Sequence, residues 1–269
     1  MQNLLKWLDE KSKKIIEKII SRYIYIYHNN ILDVNKVLDN INENTIKKYL
    51  KNKKEVLKKY SLLNWFYSES VFYFKNWLVF IPKNILKKYK WKSIIDGGAF
   101  IWDSAIVFNN ELNPSNIFLF EPDTKNYNLM LEVIKKNNLT NCFPVKKWIW
   151  DIKWRVNFIS QWWWSKIWKW TDYIEITTID NFIEENKIND LWVIKLDIEW
   201  YELEAIKWAI NTIKRFKPIL LISIYHSAKD FFEIKPLIEK LNLGYIFKIR
   251  KLTFISPTID TILIAYPEK

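Results

Sequence analysis

From residue 92 onward, short apolar runs alternate with amphipathic ones, and this alternation restricts the fold more than any other feature of the chain. KSIID leads into a helix over about 101–110, NIFLFE into one over about 123–137, WVIKLD into one over about 201–214, and PILLISIY into one over about 229–241. CFPVKK and RVNFIS read as strands beside tryptophan-rich loops, and YIFKIRKL and TILIAYP as two closing strands. Strands that are apolar throughout must be covered on both faces, which is the condition of a parallel sheet wound on both sides by helices. The expected class is therefore α/β, with a mostly parallel, doubly wound sheet. The short link between the last two strands predicts an antiparallel hairpin at one edge.

Upstream, residues 1 to about 60 are helical in pattern. Ile15, Ile16, Ile19, Ile20, Val56 and Leu57 recur between lysines, with a polar break at His28, Asn29 and Asn30. The chain divides into a basic helical extension over 1–65 and a catalytic-size domain over 66–269, the extension serving as a lid or a packing element. VFYFKNWLVFIP, between the two, reads as a small hairpin turning at Lys75, Asn76 and Trp77.

That turn exposes an anomaly. The chain has 3 glycines and 16 tryptophans in 269 residues, where roughly 7% glycine is ordinary. ISQWWWSKIWKW, residues 159–170, contains five of the indoles. Three adjacent side chains cannot share one face of a strand or helix, so neither an aromatic platform nor a buried core suits Trp162, Trp163 and Trp164. The 38 lysines against 4 arginines and the 6 alanines are those of a very AT-rich gene, in which tryptophan, with the single codon UGG, should be rare. Most of these tryptophans are accordingly expected to be glycines, encoded by UGA in an organism that reads UGA as glycine. On that reading KNW is Lys-Asn-Gly, a favoured hairpin turn, and QWWWS is a glycine loop.

The net charge of +12 favours nucleic acid, anionic lipid or an acidic substrate, but the lysine bias inflates it, and nucleic acid is not the expected partner. The Asn/Asp-Pro-Pro-aromatic signature of base amino-group methylation is missing. Cys142 is alone, which excludes a disulfide framework or a Cys-based metal site within one chain. No apolar run reaches the length of a membrane span, and MQNLLKWLDEKSKK lacks the apolar core of a signal peptide. A cytoplasmic location is expected, with the oligomeric state open.

Three segments carry chemistry. IIDGGAFIWDS (94–104) is a strand ending in an acid, followed by a glycine turn and a helix start, where the backbone can approach a ligand in the crevice beyond the strand ends. FLFEPD (118–123) places Glu121 at the end of the next strand, 25 residues after Asp96, where a carboxylate can accept both hydroxyls of a ribose. KLDIEWYE (195–202) puts Asp197 and Glu199 at the end of a later strand. His226, one of two histidines, follows the strand after that and could take a proton near neutral pH. Structural alternatives remain for each: an ordinary turn, a solvated loop acid, a strand-end acid, a satisfied loop histidine. His28 is read as structural.

IIDGGAFIWDS, FLFEPD, TTIDNFIEE and VIKLDIEWYELEAIKWA together resemble the FkbM family of S-adenosylmethionine-dependent methyltransferases, over roughly residues 90–267. The family has glycine where this chain has Trp102, Trp200 and Trp208. The resemblance implies a Rossmann-like class I methyltransferase fold and S-adenosylmethionine as cofactor, bound by Asp96, Gly97, Gly98, Phe100, Trp102, Glu121 and Asp123. It implies a hydroxyl of a carbohydrate, glycan or natural product as acceptor. Asp197 would orient that hydroxyl, with the roles of base or part of a metal site left open, followed by His226 and then Glu199. No metal is assigned. The alternatives are an RNA-directed methyltransferase and a noncatalytic binding module that keeps the fold.

Overall fold

The computed structural model describes residues 2–29, 43–62, 67–88, 91–100, 103–150, 155–158, 172–252 and 259–268. Trp102 and the QWWWS segment lie outside the described residues.

Seven strands form the main sheet: β1 (Ile94–Gly97), β2 (Ile117–Phe120), β3 (Cys142–Val145), β7 (Val193–Leu196), β8 (Ile219–Ser223), β9 (Tyr245–Lys251) and β10 (Thr261–Pro267). Their spatial order is β3-β2-β1-β7-β8-β10-β9. The first five are mutually parallel, and β10 runs antiparallel to both β8 and β9. The expected doubly wound sheet and its C-terminal hairpin are both present. β1, β7, β8 and β10 are buried along their whole length, the condition that apolar strands without alternation impose. Three further strands, β4 (Lys147–Ile149), β5 (Arg155–Phe158) and β6 (Asp172–Thr177), form a small second sheet in the order β4-β6-β5.

Helices cover both faces: α5 (Asp103–Leu112), α6 (Thr124–Lys136), α7 (Ile179–Glu185), α8 (Glu202–Lys207), α9 (Ile210–Phe216) and α10 (Ala228–Lys240). One apolar cluster joins Ile95, Ile194, Leu196 and Leu220 to Ile206, Ile213 and Ile234. Another joins Ile94, Ile117 and Val193 to Phe108, Met130 and Val133. The single helix expected over 201–214 is two. Asp180 explains the break: its carboxylate accepts the amides of Asn211 and Thr212 at 3.2 and 2.8 Å, capping α9, while its own amide donates to the carbonyl of Trp208.

The hairpin expected at VFYFKNWLVFIP is absent. Glu69–Tyr73 forms a turn of π-helix and Leu78–Phe80 a 3-10 turn. The chain does reverse at Lys75, Asn76 and Trp77, all in the left-handed region. Its flanks coil because Val71, Phe72, Trp77 and Leu78 are buried together in the second cluster, where tertiary burial overrides strand propensity. α4 (Lys83–Lys88) then leads into β1.

In the N-terminal segment, α1 (Gln2–Leu5), α2 (Glu10–Asn29) and α3 (Glu43–Lys59) are helical as expected. Leu4, Leu8, Ile16 and Ile19 are buried in the first cluster. α2 is tied to β9 by polar contacts as well: Arg250 donates to both Asp9 carboxylate oxygens at 2.6 and 3.1 Å and to the Ser12 hydroxyl at 2.9 Å, which accepts the Ile249 amide at 2.8 Å. Arg250→Ala removes the charge-assisted bonds to Asp9 and the bond to buried Ser12, so a loss of about 2 kcal/mol is expected in urea unfolding. Among the described residues, no helix is long and apolar enough to cross a membrane.

Candidate active site

The chain order places β2 and β3 on one side of β1 and β7 and β8 on the other, so the carboxyl ends of β1 and β7 flank the switch point where open α/β sheets form a crevice. Asp96 and Lys195 face each other in register across these strands. The Lys195 ammonium donates to Asp96 Oδ1 at 2.9 Å, and the Ser104 hydroxyl donates to Oδ2. Asp96 is fully buried and Lys195 nearly so. Burial lowers the Lys195 pKa, but Asp96 and then Asp197 more than offset this, so the ammonium is retained. Both oxygens of Asp96 are thus engaged inside the protein, and the pair braces the loop after β1. Lys195 stands in an apolar run, VIKL, and that placement was the only signal of its role.

Gly98 has φ +73°, and a Cβ there would lie 1.9 Å from the main-chain oxygen of Asp197. The loop after β1 and the residue after β7 therefore touch through backbone, which only glycine allows. At Gly97 the nearest atom to an added Cβ is the movable Leu196 Cδ2, at 2.8 Å. Gly98→Ala combines a main-chain clash with a strained φ, and a loss of about 3 kcal/mol in thermal unfolding is expected.

Glu121, immediately after β2, is 6% exposed. Its Oε1 accepts the Asp123 amide at 2.9 Å, and burial pushes its pKa up to about 8. Asp123 caps α6 by accepting the Asn126 amide at 2.9 Å. Phe100 sits in the loop after β1 with φ +48°.

At the ends of β7 and β8 the structure brings together Asp197, Glu199 and His226, and adds Glu202. His226 Nδ1 lies 2.8 Å from Glu202 Oε1, which also accepts the Ile198 amide at 2.8 Å. His226 Nε2 faces Glu199 Oε2 at 3.3 Å and Asp197 Oδ1 at 3.7 Å. Burial lowers the imidazole pKa, but Glu202, Asp197 and Glu199 outweigh it and lift the value to about 9. Burial raises Glu199 to about 7. The Tyr225 ring lies against the imidazole, centroids 4.1 Å apart. Glu202 was within the KLDIEWYE motif but unmarked by it, since nothing in the spacing shows that this acid turns inward to a residue 24 positions away.

Residues 96–247 match the methyltransferase FkbM domain, which is more than half of the chain. The chain belongs to the FkbM methyltransferase family. Its FkbM domain is an S-adenosylmethionine-dependent methyltransferase domain. Among solved structures, the FkbM methyltransferase of Methylobacillus flagellatus is similar at 20% identity with a TM-score of 0.51, over 83% of this chain and 60% of that one. The present chain thus spans somewhat less than two thirds of that relative. The precorrin-6y methyltransferase of Geobacter metallireducens is similar at 9% identity and a TM-score of 0.47, over 78% of this chain and 95% of that one. M. jannaschii TYW2, solved with AdoMet, is similar at 15% identity and a TM-score of 0.41, over 74% and 76%. A search of curated protein sequences found no significant match.

The residues present fit the cofactor of an FkbM domain. A buried carboxyl, Glu121, stands at the end of β2 beside the β1 loop and can receive paired hydroxyls. Gly97 and Gly98 pack against Leu196, Ile149 and Ile198 and against the main chain of Asp197, so the loop after β1 is held close to the end of β7.

Proposed function

We propose that the protein methylates a hydroxyl of a sugar, a glycan or a related natural product. Bound S-adenosylmethionine supplies a methyl group activated by a sulfonium. The chain's own residues hold the two reactants beside each other. Asp96 and Lys195 brace the glycine loop, Glu121 receives the ribose hydroxyls, Asp197 and Glu199 orient the acceptor and take its proton, and His226 holds these two carboxylates in place. The observation that carries this reading is the backbone contact between Gly98 and Asp197, which sets the loop of the donor directly against the acid cluster. Methyl transfer needs such alignment of acceptor oxygen and donor carbon, and the partly exposed carboxylates of Asp197 and Glu199 lie between the buried His226 and solvent.

The test is transfer of labelled methyl from S-adenosylmethionine to a panel of sugars, nucleotide sugars, glycans and RNA. Label on a carbohydrate hydroxyl is expected; label confined to RNA overturns the acceptor.

Glu121 gives the reading a pH signature. With a pKa near 8 its carboxyl is mostly protonated at pH 7 in the free protein. Paired hydroxyls bond better to the ionised form, so cofactor binding should release a proton. Affinity should rise with pH and level off above the free-state value, because only below it must a proton leave. Calorimetry in buffers of different ionisation enthalpy should detect that proton at pH 7, and Glu121→Gln should abolish both the release and the pH slope.

A further inference from the structure

The cluster at the ends of β7 and β8 holds three carboxylates around one imidazole. Asp230, which accepts the Leu203 amide at 3.1 Å, adds a further acid beside Glu202.

Among the described residues, Asp197 Oδ1, Glu202 Oε2 and His226 Nε2 are buried side-chain atoms without a hydrogen-bond partner. The His226 side chain is 2% exposed and that of Glu202 is fully buried, so water does not satisfy these atoms from outside. The approach of Nε2 to Glu199 at 3.3 Å does not meet hydrogen-bond geometry, since Nε2 has no such partner. Buried polar atoms are rarely left unpaired, and each one implies a missing partner. Asp197, Glu202 and His226 each offer a donor atom within 4.8 Å of the others.

We propose that His226 Nε2, Asp197 and Glu199 hold a divalent transition-metal cation, with Glu202 as the carboxylate behind the imidazole. Bonds of roughly 2.0–2.2 Å place adjacent ligand atoms about 3–3.6 Å apart; the 3.3 Å from Nε2 to Glu199 falls in that range, and the 3.7 Å to Asp197 closes to it with a small movement of the partly exposed carboxylate. The Nδ1 contact with Glu202 is the arrangement that fixes a ligating histidine's tautomer and leaves Nε2 bare for the metal. A mixed set of one imidazole and two carboxylates favours Mn²⁺ or Zn²⁺ over Ca²⁺. Asp197 and Glu199 are 32% and 40% exposed at their side chains, so the cation would keep an open side toward the crevice. There it would meet the acceptor hydroxyl and lower its pKa, a role that rests on reading the cluster as the acceptor side of the methyltransferase.

The test is titration of the metal-free full chain with Mn²⁺, followed by electron paramagnetic resonance of the free ion, and with Zn²⁺ by calorimetry. One saturable site per chain is expected. Asp197→Asn and His226→Gln should each weaken it at least tenfold, and Glu202→Gln should weaken it by about tenfold or more through the imidazole. Circular dichroism checks that each variant folds, and Glu199→Gln, the most exposed position, serves if the others do not. No saturable binding of either ion, or unchanged affinity in the folded variants, overturns the site. S-adenosylmethionine affinity, measured on the same proteins carrying Trp102→Gly and Trp200→Gly, separates the two readings. Cofactor binding without cation binding sinks the metal site alone, and cation binding without cofactor binding sinks the methyltransferase reading alone.

Discussion

Trp200→Gly should tighten S-adenosylmethionine binding at least tenfold, and with Trp102→Gly it should turn a weak or absent interaction into a measurable one. Glu199 and Trp200 have φ of +55° and +79°, two successive residues in the left-handed region, one residue beyond Asp197. That region costs a residue with a Cβ roughly 1–2 kcal/mol. The strain therefore falls on the loop that carries Asp197 and Glu199 and lies against Gly98. The Trp200 indole is 48% exposed and recovers little by burial. Trp7, Trp77 and Trp91 share the left-handed conformation, with φ of 60°, 70° and 69°. Glycine adopts it freely, so these four positions suit the UGA reading of the gene. Trp192 behaves differently: it is 1% exposed beside β7, and its replacement by glycine should cost about 3–5 kcal/mol by leaving a cavity. Calorimetric titration of both forms of the protein decides the first point. Equal, tight cofactor binding by the tryptophan and glycine forms would refute it, as would UGG codons at Trp102, Trp162 and Trp200.

Asp197→Asn and His226→Ala should each lower turnover by about 10²- to 10⁴-fold on whichever acceptor takes the labelled methyl, while cofactor affinity changes by less than about threefold. Both side chains lie at the ends of β7 and β8, and Asp197 meets the loop after β1 through its main chain, its oxygen against Gly98 and its amide donating to the Gly97 carbonyl at 3.0 Å, contacts that substitution of the side chain leaves in place. A loss of turnover with cofactor binding retained is the mark of groups that act on the acceptor or in the chemical step. Parent rates in both variants would show that the acid cluster is not where the acceptor sits.

Local pattern carried far into this fold. The apolar runs at 94–97, 193–196 and 219–223 could only be parallel strands covered on both sides, and each ends in the acids or histidine that the motifs marked. TILIAYP and YIFKIRKL, joined by a short link, could pair only antiparallel. The hairpin at Lys75 to Trp77 failed where the chain's reversal was legible but the burial of Phe72 and Leu78 was not. α8 and α9 read as one helix because Asp180, whose carboxylate caps the second, lies 31 and 32 positions away from the amides it accepts.

What sequence alone established is the strand order's raw material, the glycine loop, and the short motifs whose residues are neighbours along the chain. It could not show that Lys195 neutralises Asp96, 99 positions away, or that Glu202 rather than Asp197 holds the His226 imidazole. Nor could it show that Asp197, Glu199 and Glu202 gather around one buried imidazole. Charge pairing, burial and tautomer depend on which groups meet in space with water excluded, and those meetings are set by how the strands align once the sheet is assembled.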